Sequence, residues 1–284
     1  MPSSTKTASK KAAANKTASR KNGRQKMEQF ICNVVPSKGT ENDWQFDDSV
    51  TSGSLGLVAA IPSSVDLRAP WWAIHNQETT GSCVGWATAD GVVRHHMVKD
   101  GRITQKQLLS PRHIWMASKE TDEFQNSPTT FIENAGTSLK AALDVARRYG
   151  AVKETVLPFS GTRLYGGKPE TFYALAAQLK IQAYFNLSLN RGSSIAAWRR
   201  WLATRGPIMT RLDVDDTWDD STGNLDVYQP KTKHGGHAVA LVGYTPDRFI
   251  VRNSWGTSWG DKGFGYASLA YTQDAFTEAY GISV

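Results

Sequence analysis

Cysteine is almost missing from this chain of 284 residues, which has two, Cys32 and Cys83. One internal disulfide is the most they can form, so a secreted scaffold built on disulfides is excluded. No run of 18 or more apolar residues occurs, and no membrane-spanning helix is expected. Acidic residues are absent from positions 1–26, which hold eight Lys/Arg. The rest of the chain has 25 basic and 26 acidic residues, so the net charge of +7 belongs to this tail and not to the folded part. The tail also lacks aromatic residues, Leu, Ile and Val. It cannot bury enough apolar surface to offset its ordering entropy, and residues 1–26 read as a disordered basic tail. It has no apolar stretch of the kind a cleavable signal peptide needs, which leaves a cytoplasmic location or another export route. Its charge suits an anionic partner such as nucleic acid, with a plain solubilising extension as the alternative.

What is present is a globular composition, 40% hydrophobic with ten Trp. Residues 27–60 read as an N-terminal arm, partly ordered against the body: "QFICNVVP" as a short strand ended by Pro36, then an acidic stretch, then Gly and Ser. A main domain is expected over 61–284. Four helices are predicted from apolar spacing. The first starts at Ser82 as N-cap and buries Trp86, Ala89, Val93 and Met97. The second starts at Thr137 or Ser138 and turns Leu139, Leu143, Ala146 and Tyr149 inward. The third has Pro169 in its first turn, and the fourth groups Ile195, Trp198 and Leu202. After residue 180 the period changes, and "IQAYFNLS", "PIMTRLDV", "HAVALVGYT", "RFIVRNSW" and "FGYASLAY" read as strands. The fold class expected is α+β, with a helical left lobe (about 75–165), a strand-rich right lobe (about 180–270) and a cleft between them.

The chemistry gathers in three places. Cys83 stands at a helix start, where partial positive charge favours the thiolate. A small buried core residue is the other reading of a lone cysteine there. His237 follows two glycines at the head of an apolar strand, so its ring can face a cleft. Asn253 ends another apolar strand in "IVRNSWGTSWGDKGFGY". Its amide oxygen can accept the His237 ring N–H and fix the tautomer, and Trp255 can cover that bond from water.

Gln77 six residues before Cys83, the "GSC" step with a helix behind it, "GHAVALVGY", and "NSWGTSWGDKGFGY" sixteen residues after His237 together resemble the papain-like cysteine peptidases, family C1. The opening "IPSSVDLR" and the segments "GTSLKAALDVARRYGAVKETVLPF" and "GPIMTRLDV" resemble that family as well. The likeness covers about 61–270. It implies a papain-like two-lobe fold whose right lobe is an antiparallel, barrel-like sheet. It implies a thiol endopeptidase in which Cys83 attacks the peptide carbonyl to form a thioester. His237 would be the base and then the acid, Asn253 would orient His237, and Gln77 with the Cys83 backbone N–H would hold the oxyanion. Trp255 would shield the Asn–His bond and Trp259 would floor the leaving-group side. Asn134, Ala135 and Gly136 would bind the peptide as an added strand. Arg211 and Gly236 fall where the family lines the pocket for the second residue upstream of the cut. A basic pocket for acidic side chains and an Arg211 paired with Asp213 are both compatible with that position.

Several departures mark the chain. Thr80 stands where the family keeps a bridging cysteine three before the nucleophile, and "CVGWA" displaces the aromatic that usually follows it. The long helical inhibitory pro-domain does not fit into 60 residues. These features point to a bacterial, disulfide-free branch in which the 27–60 arm lies across or beside the cleft and limits access. Cys32 is then either inert or able to bridge to Cys83. The rival functions are a Cys-His amidase or transpeptidase on non-standard, cell-wall peptides, and a catalytically weak homologue binding anionic partners through the tail. The partner expected is a peptide or protein substrate, and the protein is expected to be a monomer with no cofactor and no metal. "DVDDTWDD" lacks calcium-loop spacing and reads as a solvated loop. His95 and His96, adjacent on a helix, face different ways and make a poor metal pair.

Overall fold

The computed structural model describes residues 30–53, 60–121, 136–161, 164–189, 194–219 and 222–284. The expected basic tail and the candidate residues Asn134 and Ala135 lie outside these ranges.

The chain opens with an extended segment, a short helix α1 (Phe46–Thr51) and the two-residue strand β1 (Val65–Asp66). Three stretches, Cys83–Thr88, Ala89–Val93 and Arg94–Lys99, run on as one helix, α2, whose middle turn is widened to π geometry. Then come α3 (Pro111–Thr121), α4 (Leu139–Arg148) and α5 (Pro169–Ala177). The second half gives β2 (Ala183–Asn186), α6 (Ile195–Thr204), β3 (Ile208–Val214), β4 (Asn224–Leu225), β5 (Gly235–Tyr244), β6 (Arg248–Arg252), β7 (Phe264–Ser268), α7 (Leu269–Ala275) and β8 (Phe276–Ser283).

The strands form one sheet in the order β2-β8-β3-β5-β6-β7-β4, with β1 added on β5. All pairs are antiparallel except β4 with β7. The barrel-like closure expected for the right lobe is therefore a correction: β2 and β4 end the sheet and do not pair. Trp198, Trp201 and Leu202 of α6 and Tyr271 and Ala275 of α7 pack into one apolar cluster with the sheet.

Strand β5 shows how the halves meet. Its side chains alternate, as strand geometry requires. Ala238, Ala240 and Val242 join an apolar cluster with α2 and α4, while Val239 and Leu241 join the second cluster with α6 and the tryptophans. Both faces are covered, which is why this strand reads as an unbroken apolar run.

The predicted helices form, with local differences. Ser138 and Ser194 cap α4 and α6 by accepting from Ala141 N and Ala197 N, each at 3.3 Å. Tyr149 does not turn inward: it lies past the last turn of α4, before the left-handed Gly150, and is 43% exposed. The stretch read as one strand, "FGYASLAY", is split. Ser268 accepts from Tyr271 N at 3.0 Å and starts α7.

Candidate active site

The loop before α2 is tied by hydroxyls. Thr80 Oγ1 donates to the Gln77 carbonyl and pairs with Ser82 Oγ, both at 2.6 Å. Ser82 stands at the N-cap position with its hydroxyl committed to Thr80, so it does not cap the helix by side chain. Thr80 thus links the turn by hydrogen bonds where the resemblance implied a bridging cysteine. Glu78 takes a left-handed φ of 55° in this loop, and its N–H bonds Asn76 Oδ1 at 2.8 Å. Gly85 explains the displaced aromatic. A Cβ there would come within 2.4 Å of the Pro111 carbonyl oxygen at the start of α3, so no side chain fits. Trp86 comes one residue later and stacks on His75 at 5.5 Å.

His237 lies at the head of β5 and pairs through Nε2 with Asn253 Oδ1 at 2.8 Å. Asn253 Oδ1 also accepts from Ser254 N at 2.8 Å, which fixes the amide. His237 Nδ1 is buried and has no hydrogen-bond partner among the described residues. Trp255 lies over the imidazole, 4.8 Å between centroids, and Trp218 meets it edge-on at 5.6 Å. Trp259 stacks on Trp218 at 4.9 Å and donates its indole N–H to the Trp218 carbonyl at 3.0 Å. Trp218 was not among the expected site residues. Its only signal was a lone indole inside the acidic "DVDDTWDD", a loop that proves to be anchored: Asp215 accepts from Tyr271 Oη at 2.8 Å.

Gln77 is buried, and its amide oxygen accepts from Ser254 Oγ at 2.8 Å. One amide hydrogen goes to the Thr80 carbonyl at 3.0 Å, so the geometry leaves the other for a ligand. Behind the site, Asp90 in the π turn of α2 pairs with Arg252, the residue before Asn253. Arg252 also donates to the carbonyls of Trp72 (2.9 Å) and Ala73 (2.7 Å), on the segment leading to Gln77. One buried ion pair therefore joins the three segments that carry Cys83, Gln77 and Asn253.

The extended segment 30–37 fills the cleft. Phe30 stacks flat on Trp255 at 4.6 Å. Val34 N donates to the Gly236 carbonyl at 3.0 Å, and Val35 N to the Thr137 carbonyl at 3.3 Å. Two glycines make the slot. A Cβ at Gly136 would lie 2.0 Å from the Asn33 carbonyl oxygen, and one at Gly235 2.1 Å from that of Cys32. Further along, Ser37 N donates to Glu278 Oε1 at 3.0 Å and Lys140 Nζ pairs with Asp43 at 2.5 Å. Cys83 and His237 are both 0% exposed.

That burial sets the protonation states. It pushes the Cys83 thiol up to about 11, against smaller lowering effects from backbone N–H groups and Arg211. It pulls His237 down to about 4, opposed by the bond to Asn253. Burial thus favours the neutral thiol and the neutral imidazole.

His237, Asn253 and Trp255 thus come together, Gln77 is tied to Ser254 beside them, Cys83 lies in one apolar cluster with Ala238, and Gly136 and Gly236 meet segment 33–34. Arg211 differs from one expectation. Its guanidinium lies within 3.3 Å of Asp213, donates to Thr277 Oγ1 at 2.6 Å and to the Val34 carbonyl at 3.3 Å, so it is not held open for an acidic side chain.

The family described as papain family cysteine protease matches residues 61–281. An uncharacterised peptidase C1-like protein of Acanthamoeba polyphaga mimivirus is 24% identical over 210 residues, covering 70% of this chain and 65% of its own length. Cathepsin K of Mus musculus is 26% identical over 257 residues, covering 84% and 66%. This chain spans about two thirds of the length of both. Among solved structures, xylellain, a cysteine protease from Xylella fastidiosa, superposes with a TM-score of 0.71 at 21% identity, over 90% of this chain and 97% of that one. Procathepsin B from Trypanosoma congolense gives 0.65 at 15% identity, over 91% and 88%. The structural likenesses agree on a papain-like α+β fold. The chain belongs to the papain family of cysteine proteases.

Proposed function

We propose that this protein is a cysteine endopeptidase kept latent by its own N-terminal arm. The observation that carries the reading is the His237–Asn253 bond of 2.8 Å under Trp255, with the other ring nitrogen unpartnered among the described residues and Ala238, the next residue on β5, in one apolar cluster with Cys83. Asn253 holds Nε2 as the donor, so Nδ1 is the basic nitrogen. Once the cleft is open, Nδ1 takes the Cys83 proton and the thiolate attacks the peptide carbonyl carbon. The oxyanion that forms is held by the Cys83 N–H and the free Gln77 amide hydrogen. His237 then returns the proton to the leaving amine and activates the water that hydrolyses the thioester. Trp255 and Trp218 keep water from the Asn–His bond and so strengthen it.

The substrate backbone would lie between Gly136 and Gly236, the slot that residues 32–35 now fill. Arm and substrate therefore compete for one site, which makes the closed chain latent. The test is hydrolysis of a dipeptidyl fluorogenic panel by the full chain, by a chain beginning at Ile61, and by each with Cys83→Ala. The expected result is activity that rises at least ~10-fold without the arm and is abolished by Cys83→Ala. Equal rates with and without the arm would remove latency. No turnover of any peptide would shift the reading to an amidase or transpeptidase on the same residues.

A further inference from the structure

Three buried charged side chains, Asp90, Arg94 and Arg252, take no part in the reaction steps above. Asp90 sits in the π turn of α2. Each residue turns a helical face by about 100°, so the extra residue of a π turn decides which side its neighbours present. The Asp90 carboxylate accepts from Arg94 Nη1 at 2.8 Å and from Arg252 Nη2, and pairs with His75 Nδ1 at 3.3 Å. Its carbonyl accepts the Trp72 indole N–H at 2.6 Å. Burial raises the Asp90 carboxyl, but Arg252, His75 and Arg94 outweigh it and hold the group below the ordinary carboxylate range. Arg252 spreads one guanidinium over three segments. It reaches α2 through Asp90, residues 72 and 73 through their carbonyls at 2.9 and 2.7 Å, and Asn253 through its own backbone. Segment 72–77 then runs along 254–256: the His75 carbonyl accepts from Gly256 N at 3.0 Å, and Gln77 N donates to the Ser254 carbonyl at 2.7 Å. Asp90, Arg252, His75 and Asn253 line one void of about 10 Å³. A buried ion pair is a poor source of stability, since apolar residues of similar volume often do as well or better. What this one adds is direction, a planar fork that holds a carboxylate and two carbonyls at fixed angles.

We propose that Asp90 and Arg252 are positioning residues of the peptidase reaction, which hold the Gln77 oxyanion donor and the Asn253 amide in register with the helix that starts at Cys83. The inference rests on the peptidase reading for what that register serves. Both residues act through other groups. Without the Asp90 carboxylate, Arg94 and Arg252 become two buried cations facing a neutral group, and the Arg252 fork moves to relieve them. The carbonyls of residues 72 and 73 and the backbone of Asn253 move with it. A misplacement of this kind leaves peptide binding through the slot backbone in place and slows the chemical step. Arg252→Lys separates the charge from the fork. It keeps a cation for Asp90 and loses the planar set of donors that reaches both carbonyls.

The experiment is NMR of the His237 ring N–H and the Gln77 side-chain amide in the full chain, with kcat and KM on a fluorogenic peptide. The wild type, Arg252→Lys and Asp90→Asn are compared, and His237→Gln identifies the ring signal. In the wild type both groups should exchange slowly with water. In Arg252→Lys their exchange should rise at least ~10-fold while the backbone amides of α4 and α6 keep their protection, and kcat should fall ~10-fold at nearly constant KM. Asp90→Asn should do the same or more, and if that chain does not fold, Arg252→Lys decides. Unchanged exchange at His237 and Gln77 in Arg252→Lys overturns the proposal. So does a rise shared evenly by α4 and α6, which makes the pair a support of the whole fold, and so does a wild-type His237 N–H that already exchanges freely. The resonances need no turnover, so the result separates from the peptidase reading: site signals that loosen alone in a chain that cleaves nothing support the register and count only against the proposed reaction.

Discussion

The candidate site and the arm that covers it are held in opposite ways. Gln77, His237 and Asn253 are fixed by side-chain bonds of 2.8–3.0 Å and by ring packing from within the body. Segment 32–35 is held through its backbone, by carbonyls seated on Gly136 and Gly235 and by amides bonded to the Gly236 and Thr137 carbonyls. Phe30 and Val34 add apolar contacts beside it, and Trp44, Phe46 and Val50 do so farther along the arm. Side-chain fixation specifies one arrangement, while backbone docking on glycine takes many sequences. The difference is what the proposed latency rests on: a site fixed from within the body, and a segment over it held through its backbone.

The largest way to break the fixed half is Gln77→Ala. In a chain beginning at Ile61, kcat should fall by about 10²–10³ with KM nearly unchanged, because the lost donor acts on the oxyanion alone. Equal losses in KM would make Gln77 a binding residue instead. The permissive half breaks at Val34→Asp. The change puts a carboxylate among the apolar side chains around Cys83, and removes a side chain whose burial is worth about 1.5–3 kcal/mol. Peptidase activity of the full chain should rise about tenfold, with no change in the chain that lacks the arm.

How much of this was legible beforehand differs between the same two regions. Cys83, His237, Asn253 and Gln77 carry their chemistry in residue type and in the local setting of a helix start or strand end. The His237–Asn253 bond was anticipated from them, and the roles of all four belong to the proposal above. The slot was half legible, since Gly136 and Gly236 were anticipated but Gly235 was not. The docking of Phe30 on Trp255 crosses more than 200 positions of sequence and has no local signature. Helix α3 was passed over although Ser110-Pro111 is a start signal and Ser110 Oγ accepts from His113 N at 3.0 Å. The "FGYASLAY" stretch misled because alternation continues across the Ser268 cap. Trp218 was hidden among carboxylates that suggested a solvated loop.

A smaller effect should come from pH. Burial holds His237 near 4 while the arm is docked, below the ordinary histidine value of about 6.5. The uncovered ring therefore binds a proton that the covered ring excludes. The contribution to docking is fully present above about pH 6.5 and is lost as pH falls through about 4. Hydrogen exchange of residues 30–37 should show protection falling between those values, with a shallower fall in His237→Gln. The same slope in both chains would assign the effect to other groups, such as the buried His95, His96 and His113, which burial also lowers. The smallest effect is expected from Thr80→Val, which removes two hydroxyl bonds from the loop before Cys83. Thermal unfolding should report a loss of about 1–2 kcal/mol.

The most direct test of the central claim, that arm and peptide share one slot over Cys83, is labelling by a peptidyl epoxide, followed by mass spectrometry in both chain lengths. The account predicts a single label on Cys83, formed at least ~10-fold faster when the chain begins at Ile61. Equal labelling rates, or a label on Cys32 with Cys83 untouched, would contradict it.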